Sequence, residues 1–154
     1  MNESVSLRES TADDIEFMLT VRRESFRRYV DMWEGWDDDQ QRKRFVDHAN
    51  RQVLRVITTD GRDVGYTATA VYATATDNYP AGFYVHQIMI LPAFQSMGIG
   101  GKCMRLLFAE AAALRLVLRL RVLRTNPRAL SFYLGLGMSV VSESESHFTL
   151  EEGL

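Results

Sequence analysis

A glycine-rich stretch between an apolar strand-like run and a long helix-like run constrains this chain more than any other feature. It consists of Ile90-Leu91-Pro92-Ala93-Phe94-Gln95-Ser96-Met97-Gly98-Ile99-Gly100-Gly101. Three glycines in four positions allow the backbone to turn tightly and to approach a ligand without a Cβ between them. The helix that follows directs its free N–H groups and the positive end of its dipole towards the same point. The stretch therefore predicts an anion-binding loop, and phosphate is its natural ligand.

The composition is that of an ordinary globular domain. The chain has 154 residues, 46% of them hydrophobic and 25% charged, which predicts one domain over residues 1–154 with a core of its own. A formal net charge of −2 argues against nucleic acid as a partner, although the segment from Arg105 to Arg128 is locally basic. Cys103 is the only cysteine, which excludes an internal disulfide and fits a reducing compartment. With no signal-peptide pattern and no run of about 20 apolar residues, we expect a cytoplasmic protein that does not enter a membrane.

Hydrophobic periodicity predicts the order of the secondary structure. Apolar residues at three- and four-residue steps from Ile15 to Phe26 predict an amphipathic helix with one buried stripe. Two alternating runs on either side of Asp60-Gly61 predict an antiparallel hairpin. The predicted elements are a strand at residues 4–9, helices at 15–30 and 37–51, strands at 53–59, 64–76 and 83–91, a helix at 98–114, a strand at 116–123, a helix at 127–136, and two strands around 140–141 and 147–150. This order, β-α-α-β-β-β-α-β-α-β-β, is typical of a mixed α/β domain.

Residue spacing separates the known kinds of glycine-rich phosphate loop. A P-loop needs a glycine five positions before its Gly-Lys pair and a serine or threonine after it, but those positions hold Ser96 and Cys103. A dinucleotide fingerprint needs a glycine three positions after Gly100, which is again Cys103. Neither pattern fits the stretch.

Two blocks of the sequence resemble the GNAT superfamily of N-acetyltransferases. The first is Ile90-Leu91-Pro92 followed by Gln95-x-x-Gly98-x-Gly100-Gly101, similar to the family signature V-x-P and [Q/R]-x-x-G-x-[G/A]. The second is Asn126-x-x-Ala129-x-x-x-Tyr133-x-x-x-Gly137-Met138, in which Met138 departs from the usual Gly-Phe ending. The order of elements also resembles the family fold over nearly the whole chain. The resemblance implies a mixed, mostly antiparallel sheet of about seven strands flanked by about four helices, with strands four and five splayed apart.

The resemblance also implies acetyl-CoA as the co-substrate. In the family, the fourth strand bonds the pantetheine arm through its backbone, the glycine loop binds the pyrophosphate, and a tyrosine at the place of Tyr133 protonates the departing thiolate. Asn126 is either a coenzyme contact, a helix cap, or both. The coenzyme contacts implied for this chain are Ile88, Met89, Ile90, Gln95, Ser96, Met97, Gly98, Ile99, Gly100, Gly101, Asn126 and Tyr133.

We expect the general base on the fourth strand. Period-two alternation predicts that Tyr84, His86, Ile88 and Ile90 share one face of this strand. His86 is the candidate, because an imidazole with a pKa near 6.5 suits removal of a proton from an ammonium group, directly or through water. Tyr84 is a further catalytic candidate on the same face. A single histidine on a strand is also compatible with a purely structural role, and an ordered water is the alternative base.

The acceptor is expected to enter between the first two helices and the sheet, near Tyr29, Trp33 and Trp36. The acids at 37–39 are interpreted as a helix cap and dipole complement rather than as a trap for a cation. His48, His86 and His147 have no second ligand at helical or hairpin spacing, so no metal site is expected.

Together these patterns predict an acetyl-CoA-dependent N-acetyltransferase that acts on a primary amine of a small molecule or, less favoured, of a protein. A non-catalytic acyl-CoA-binding sensor and a nucleotide-binding switch are the competing hypotheses. Dimers are frequent among relatives, so a homodimer is an expectation that the sequence leaves open.

Overall fold

The computed structural model describes residues 4–32, 34–77 and 79–153. The strands are β1 (Val5–Glu9), β2 (Val53–Thr59), β3 (Arg62–Tyr72), β4 (Gly82–Ile90), β5 (Leu118–Leu123), β6 (Met138–Glu143) and β7 (His147–Glu152). The helices are α1 (Ile15–Asp31), α2 (Asp38–Ala49), α3 (Ile99–Ala113) and α4 (Pro127–Gly135), with short 3-10 turns at Ala12–Asp14 and Pro92–Phe94. Within the described residues no helix is long and apolar enough to cross a lipid bilayer.

The strands form one sheet in the order β1-β2-β3-β4-β5-β7-β6. Neighbouring strands run antiparallel except for β4 and β5, which are parallel. The predicted mixed sheet of about seven strands with about four helices is therefore confirmed in the described part of the chain. Several boundaries differ from the predicted ones, most of all the end of β3, which is Tyr72 and not residue 76. Alternating apolar and polar residues continue past Tyr72, but the partner strand β4 begins only at Gly82, which pairs with Tyr72.

The helices cover both faces of the sheet and enclose two cores. On one face α3 packs over β1, β4 and β5, and Leu107, Leu118 and Leu150 are completely buried there. On the other face α1 packs over β3 and β4, burying Met18 and Val21 as the predicted helical stripe requires. Each fully buried leucine or methionine stabilises the fold by about 1.5–3 kcal/mol relative to an exposed one.

The pairing of β4 with β5 is short and positions the site. It covers only Phe83–Val85 against Leu118–Leu120. Beyond these residues β4 continues along β3 as far as Ile90, whereas β5 continues along β7 as far as Leu123. The two strands therefore separate towards their carboxyl ends, and the expected splay of strands four and five is confirmed.

A β-bulge at His86 changes the faces of β4. Ala68 of β3 pairs with Gln87 and the next residue, Thr69, pairs with Val85, so that His86 is an extra residue on β4. One extra residue reverses the alternation of the side chains that follow it. Ile88 and Ile90 accordingly pack against the α3 core, as Val85 does. Tyr84 is the neighbour of Val85 before the bulge, so its side chain points to the opposite face, which α1 covers. The prediction that Tyr84, His86, Ile88 and Ile90 share one face is therefore wrong.

The close approach of β3 and β4 can be tested at Gly65. A Cβ at this position would lie 2.1 Å from the backbone oxygen of Met89 and 3.0 Å from the Cα of Ile90, and backbone atoms cannot rotate out of the way. We expect Gly65→Ala to lower the free energy of unfolding by about 2 kcal/mol, since over-packing costs about 1–3 kcal/mol. Urea denaturation measures this change. Gly135→Ala is the control, because a Cβ there meets nothing within 4 Å, and equal loss of stability in both variants would contradict the prediction.

Candidate active site

The separation of β4 from β5 opens a cleft of about 940 Å³ that passes from one face of the sheet to the other. On the α3–α4 face its wall is formed by the loop before α3 and by α4, and we call this part the glycine-loop side. On the opposite face its wall is formed by α1, by the end of α2 and by the aromatic end of β4, and we call this part the α1–α2 side. Because the cleft crosses the sheet, ligands entering from the two faces can meet inside it.

On the glycine-loop side, left-handed backbone shapes the turn into α3. Gly98 precedes the helix with φ of +82°, and Ser96 adopts φ of +64°. The side-chain amide of Gln95 donates to the carbonyl oxygen of Ile90 at 2.9 Å and ties the loop to the end of β4. The first amides of α3 have no acceptor within the helix, so the turn presents them, together with the positive end of the helix dipole, to the cleft.

Gly100 and Gly101 line the cleft for different physical reasons. A Cβ on Gly100 would lie 3.3 Å from Cζ of Phe132, so this glycine permits α3 and α4 to pack closely. A Cβ on Gly101 meets nothing within 4 Å. The absence of a side chain at Gly101 therefore leaves room beside the N-terminus of α3 that a ligand can occupy.

Arg128 is a cation at this loop that the sequence reasoning did not single out. Its guanidinium donates to the hydroxyl of Ser96 at 2.6 Å and to the side-chain oxygen of Gln95 at 3.4 Å. Asn126 positions the helix that carries it, because its side-chain oxygen accepts from the amide of Ala129 at 3.1 Å and caps α4. The available signals were the locally basic segment from Arg105 to Arg128 and the place of Arg128 two residues after Asn126. A guanidinium next to free amides suits a phosphate.

Tyr133 faces the cleft from α4 and is nine-tenths buried. Its burial raises its pKa above the usual value for a phenol, and the nearby Cys103 thiol raises it further. The hydroxyl makes no hydrogen bond with the residues that the structure describes, and it stays protonated over the physiological range. Cys103 itself is completely buried, and burial raises its pKa to about 12. Tyr133 can therefore give a proton, whereas Cys103 is an inert core residue.

His86 lies on the α1–α2 side among tyrosines. Its ring stacks on Tyr84 with centroids 5.9 Å apart and meets the edge of Tyr79 at 6.1 Å. Burial lowers the pKa of His86, and electrostatic interactions with His48 and Arg121 lower it further. The ring makes no hydrogen bond within the described part of the chain. At neutral pH it is therefore an uncharged imidazole with a nitrogen free to accept a proton.

The other tyrosines of this aromatic cluster are held by one another. Tyr72 stacks on Tyr79 with centroids 4.9 Å apart, and both rings meet Tyr84 edge to face. The hydroxyl of Tyr84 donates to the carbonyl oxygen of Pro80 at 2.8 Å, so it anchors the turn before β4. The sequence carried no local signal for Tyr72 and Tyr79, because only the pairing of β3 with β4 brings them to the cleft.

The structure separates the remaining predicted site residues. Tyr29 lines the cleft, but Trp36 does not, and its indole donates to Asp38 at 2.7 Å. Trp33 lies outside the described residues. Met97 is exposed and Ile99 is buried in the core, and neither residue lines the cleft. The capping interpretation of the acids is confirmed, since Asp37 accepts from the amide of Gln40 at 3.0 Å.

The charged side chains that line the cleft are cationic. They are Arg22, Arg51, Arg121 and Arg128. No aspartate or glutamate lines the cleft among residues 4–32, 34–77 and 79–153. The same residues contain no group of three or more histidine, cysteine, aspartate or glutamate side chains that could hold a metal ion. The cleft is therefore built for ligands that carry negative charge.

A sequence model of the Acetyltransferase (GNAT) family matches residues 15–138. This range includes α1, the glycine loop, α3 and α4. No protein of curated function matches the chain in sequence.

Solved structures share the fold over almost the whole chain. PH1933 from Pyrococcus horikoshii OT3 has a TM-score of 0.79 at 15% sequence identity, with 99% of each chain covered. The PaiA N-acetyltransferase from Thermoplasma acidophilum, solved with coenzyme A, has a TM-score of 0.72 at 19% identity, covering 98% of this chain and 99% of that chain. Arabidopsis thaliana Naa50, solved with the bisubstrate analogue CoA-Ac-MVNAL, has a TM-score of 0.68 at 15% identity, with 98% and 99% covered. At these identities the likeness concerns the fold.

The open space beside Gly101 predicts a selective loss of ligand affinity. A leucine at this position would fill the space at the N-terminus of α3. It would not destabilise the helix, because a helical position disfavours glycine by about 1 kcal/mol relative to alanine. We expect Gly101→Leu to weaken the binding of coenzyme A at least about tenfold, which corresponds to about 1.4 kcal/mol, without lowering the melting temperature. Calorimetric titration and thermal unfolding measure the two quantities. The control is Gly135→Leu at an open helical position outside the cleft, and unchanged affinity in Gly101→Leu would contradict the prediction.

Proposed function

This chain belongs to the GNAT acetyltransferase family, and we propose that it transfers the acetyl group of acetyl-CoA to a primary amine of a small molecule. One observation carries the proposal. A single cleft joins the glycine loop on one face of the sheet to Tyr133 and His86, a protonated phenol and a neutral imidazole, and continues to the α1–α2 side. Acetyl transfer from a thioester to an amine needs an anion site, a proton donor and a proton acceptor in one space.

The residues of the glycine-loop side fit coenzyme A. Gly101 leaves space at the N-terminus of α3, the first amides of that helix are free, and Arg128 adds a cation beside Ser96. Backbone amides, a helix N-terminus and a guanidinium together suit a pyrophosphate. The coenzyme A complex of the Thermoplasma acidophilum neighbour supports this assignment. Bound there, acetyl-CoA supplies the acetyl group as a thioester.

The splayed strand offers the backbone groups that the acyl arm requires. Beyond Val85 the edge of β4 has no partner on β5, so Gln87 to Ile90 can bond a ligand in the manner of an added strand. The bulge at His86 leaves a further unpaired residue at the start of this edge. An N–H group from this edge would polarise the thioester carbonyl, because a preorganised donor is most effective where negative charge develops.

His86 and Tyr133 divide the proton transfers. The neutral imidazole of His86 takes a proton from the substrate ammonium, directly or through a water, and leaves a nucleophilic amine. As the amine nitrogen bonds to the carbonyl carbon and the carbon–sulfur bond breaks, Tyr133 donates its proton to the departing thiolate. The proton that the nitrogen loses as it becomes an amide then restores the phenol of Tyr133. The pKa directions at the two residues favour this division, since burial lowers the pKa of His86 and raises that of Tyr133.

The amine attacks directly, with both substrates bound together. The sole cysteine, Cys103, is completely buried and does not line the cleft, so it does not serve as an acetyl carrier. The complex of Naa50 with a bisubstrate analogue supports a ternary arrangement. The passage through the sheet provides the two entrances that such an arrangement needs.

Release of free thiol tests the proposed activity. We expect the purified protein to release coenzyme A from acetyl-CoA steadily when a suitable amine is present, and a thiol reagent measures the rate across a panel of amines. Tight binding of acetyl-CoA without turnover for any amine would instead support the acyl-CoA sensor. A larger rise of the melting temperature with ATP or GTP than with acetyl-CoA would support the nucleotide switch.

Within that assay Tyr133→Phe isolates the proton donor. We expect kcat to fall by about 10²-fold or more, as for other general acids, with the affinity for acetyl-CoA nearly unchanged because the ring remains. Tyr84→Phe provides the comparison. It loses the hydrogen bond to the carbonyl of Pro80 and should lower stability by about 1 kcal/mol. A larger loss of kcat in Tyr84→Phe than in Tyr133→Phe would transfer the acid role to Tyr84.

The pH dependence of kcat tests the proton acceptor. The active form of His86 is neutral, and burial lowers its pKa below about 6.5, the ordinary value, so kcat should rise through the acidic range and level off by neutral pH. His86→Gln should lose this limb of the profile. His147→Gln is the matched control, because His147 also has a pKa lowered by burial but bonds Ser146 at 2.6 Å. Persistence of the limb in His86→Gln would assign the role to another group.

A further inference from the structure

Arg22 is a buried cation that has no anionic partner in the part of the chain that the structure describes. It projects from α1 with 8% of its surface exposed, and its Nε donates to the side-chain oxygen of Gln41 at 2.8 Å. Its guanidinium carbon lies 5.4 Å from the centre of the Phe26 ring. Its Nη1 is buried without a hydrogen-bond partner, and Arg22 forms no ion pair with any residue in the described part of the chain. An unpaired buried charge is costly, so the arrangement points to an anion that arrives with a ligand.

The space beside Arg22 is connected to the reaction site and is electropositive. A smaller cavity of about 350 Å³ adjoins the cleft. The residues that line both spaces are Arg22, His48, Gln52, Gln87, Arg121 and His147. Arg121 also forms no ion pair among the described residues, and its charge contributes to the lowered pKa of His86 and of His147. A second free cation therefore faces the region that Arg22 lines.

Glu34 interacts electrostatically with Arg22, but its carboxylate already has another partner. The charge of Arg22 contributes weakly to the lowered pKa of Glu34, but Glu34 accepts from Arg44 at 2.6 Å, and this hydrogen bond is the main cause of the shift. Glu34 lines neither cavity. Among the described residues, Arg44 therefore has a counter-ion, whereas Arg22 and Arg121 have none.

Coenzyme phosphates do not account for this pair of arginines. The glycine loop and Arg128 lie on the α3–α4 face of the sheet, whereas Arg22 projects from α1 on the opposite face. The anion that meets Arg22 therefore belongs to the molecule that enters from the α1–α2 side. In the proposed reaction, that molecule is the acceptor.

We infer that the acceptor carries an oxyanion in addition to its amine, a carboxylate or a phosphate, and that Arg22 binds this group with Arg121 as a second cation. The inference rests on the proposed function and names the substrate class of the same site. Amino acids and other zwitterionic amines satisfy it. Polyamines do not, because no carboxylate among the described residues lines the cleft to receive their additional positive charges. A guanidinium binds an oxyanion by charge-assisted hydrogen bonds, and Arg22 lines both cavities.

The test compares amines that differ only in the anion. At saturating acetyl-CoA, kcat/KM is measured for the common L-amino acids and for their amides, for phosphoethanolamine and ethanolamine, and for putrescine and spermidine. We expect the best anionic amine to exceed its neutral counterpart at least about tenfold, and the two kinds of pair distinguish carboxylate from phosphate. Preference for the neutral counterpart or for the polyamines would overturn the inference.

Variants of Arg22 assign the preference to the residue. Arg22→Met should reduce the ratio of acid to amide towards one, and Arg121→Gln should reduce it in part. Arg23→Met, at an exposed position on the same helix, is the matched control and should keep the ratio of the unmodified protein. Because Arg22→Met also removes the hydrogen bond to the buried Gln41, which lowers stability, thermal unfolding checks that each variant remains folded under the conditions of the assay. A ratio unchanged in both Arg22→Met and Arg121→Gln would overturn the inference, as would a loss of coenzyme A affinity in Arg22→Met, which would assign the anion to the coenzyme.

A binding measurement separates this inference from the proposed activity. Calorimetry on the protein saturated with coenzyme A gives the affinity for each acid and amide without any turnover. Tighter binding of the acid that is lost in Arg22→Met supports the anion site even where no thiol is released, in which case only the proposed activity fails. Thiol release with equal affinity for acid and amide would keep the activity and refute the anion site.

Discussion

The separation of β4 from β5 is the constraint on which the rest of the site depends. These parallel strands pair only over Phe83–Val85 and Leu118–Leu120, and each then follows its other neighbour. The bulge at His86 turns Ile88 and Ile90 into the α3 core, which holds the free part of β4 against that helix. The sheet therefore opens without losing its two cores. A cleft between strands is stable here because both of its walls are packed from behind.

The two faces of the sheet receive negative charge in different ways. On the glycine-loop side, backbone amides and the surface cation Arg128 can donate to an anion, and the dipole of α3 adds to their effect. These groups keep access to solvent before a ligand binds. On the α1–α2 side the donor is Arg22, which is buried before any ligand arrives. The first arrangement has little energetic cost in the free protein, whereas the second stores a cost that only an anion relieves. In the proposed reaction, the first arrangement would serve the coenzyme and the second would discriminate between acceptors.

Burial shifts the pKa values of the two proposed catalytic groups in opposite directions. It disfavours the charged form of each, so it keeps His86 uncharged as an imidazole and Tyr133 uncharged as a phenol. An uncharged imidazole can accept a proton and an uncharged phenol can donate one. The same physical effect thus gives the two residues complementary roles. The proposed proton transfers require no carboxylate, and none lines the cleft among the described residues.

The sequence by itself determined the order of the elements, the capping of α2 by Asp37, and the glycine loop before α3, because periodicity, caps and loop motifs depend on residues close together in the chain. It failed where long-range contacts decide. The alternation of β4 was misassigned because a bulge depends on the pairing strand, and Tyr72 and Tyr79 were missed because only that pairing brings them to His86. Trp36 was expected at the acceptor, but its indole bonds Asp38 outside the cleft. In the sequence, nothing distinguishes Arg22 from the other arginines of α1. Only the tertiary structure reveals that it is buried with a free donor, because burial and the lack of a partner are properties of everything packed around a side chain.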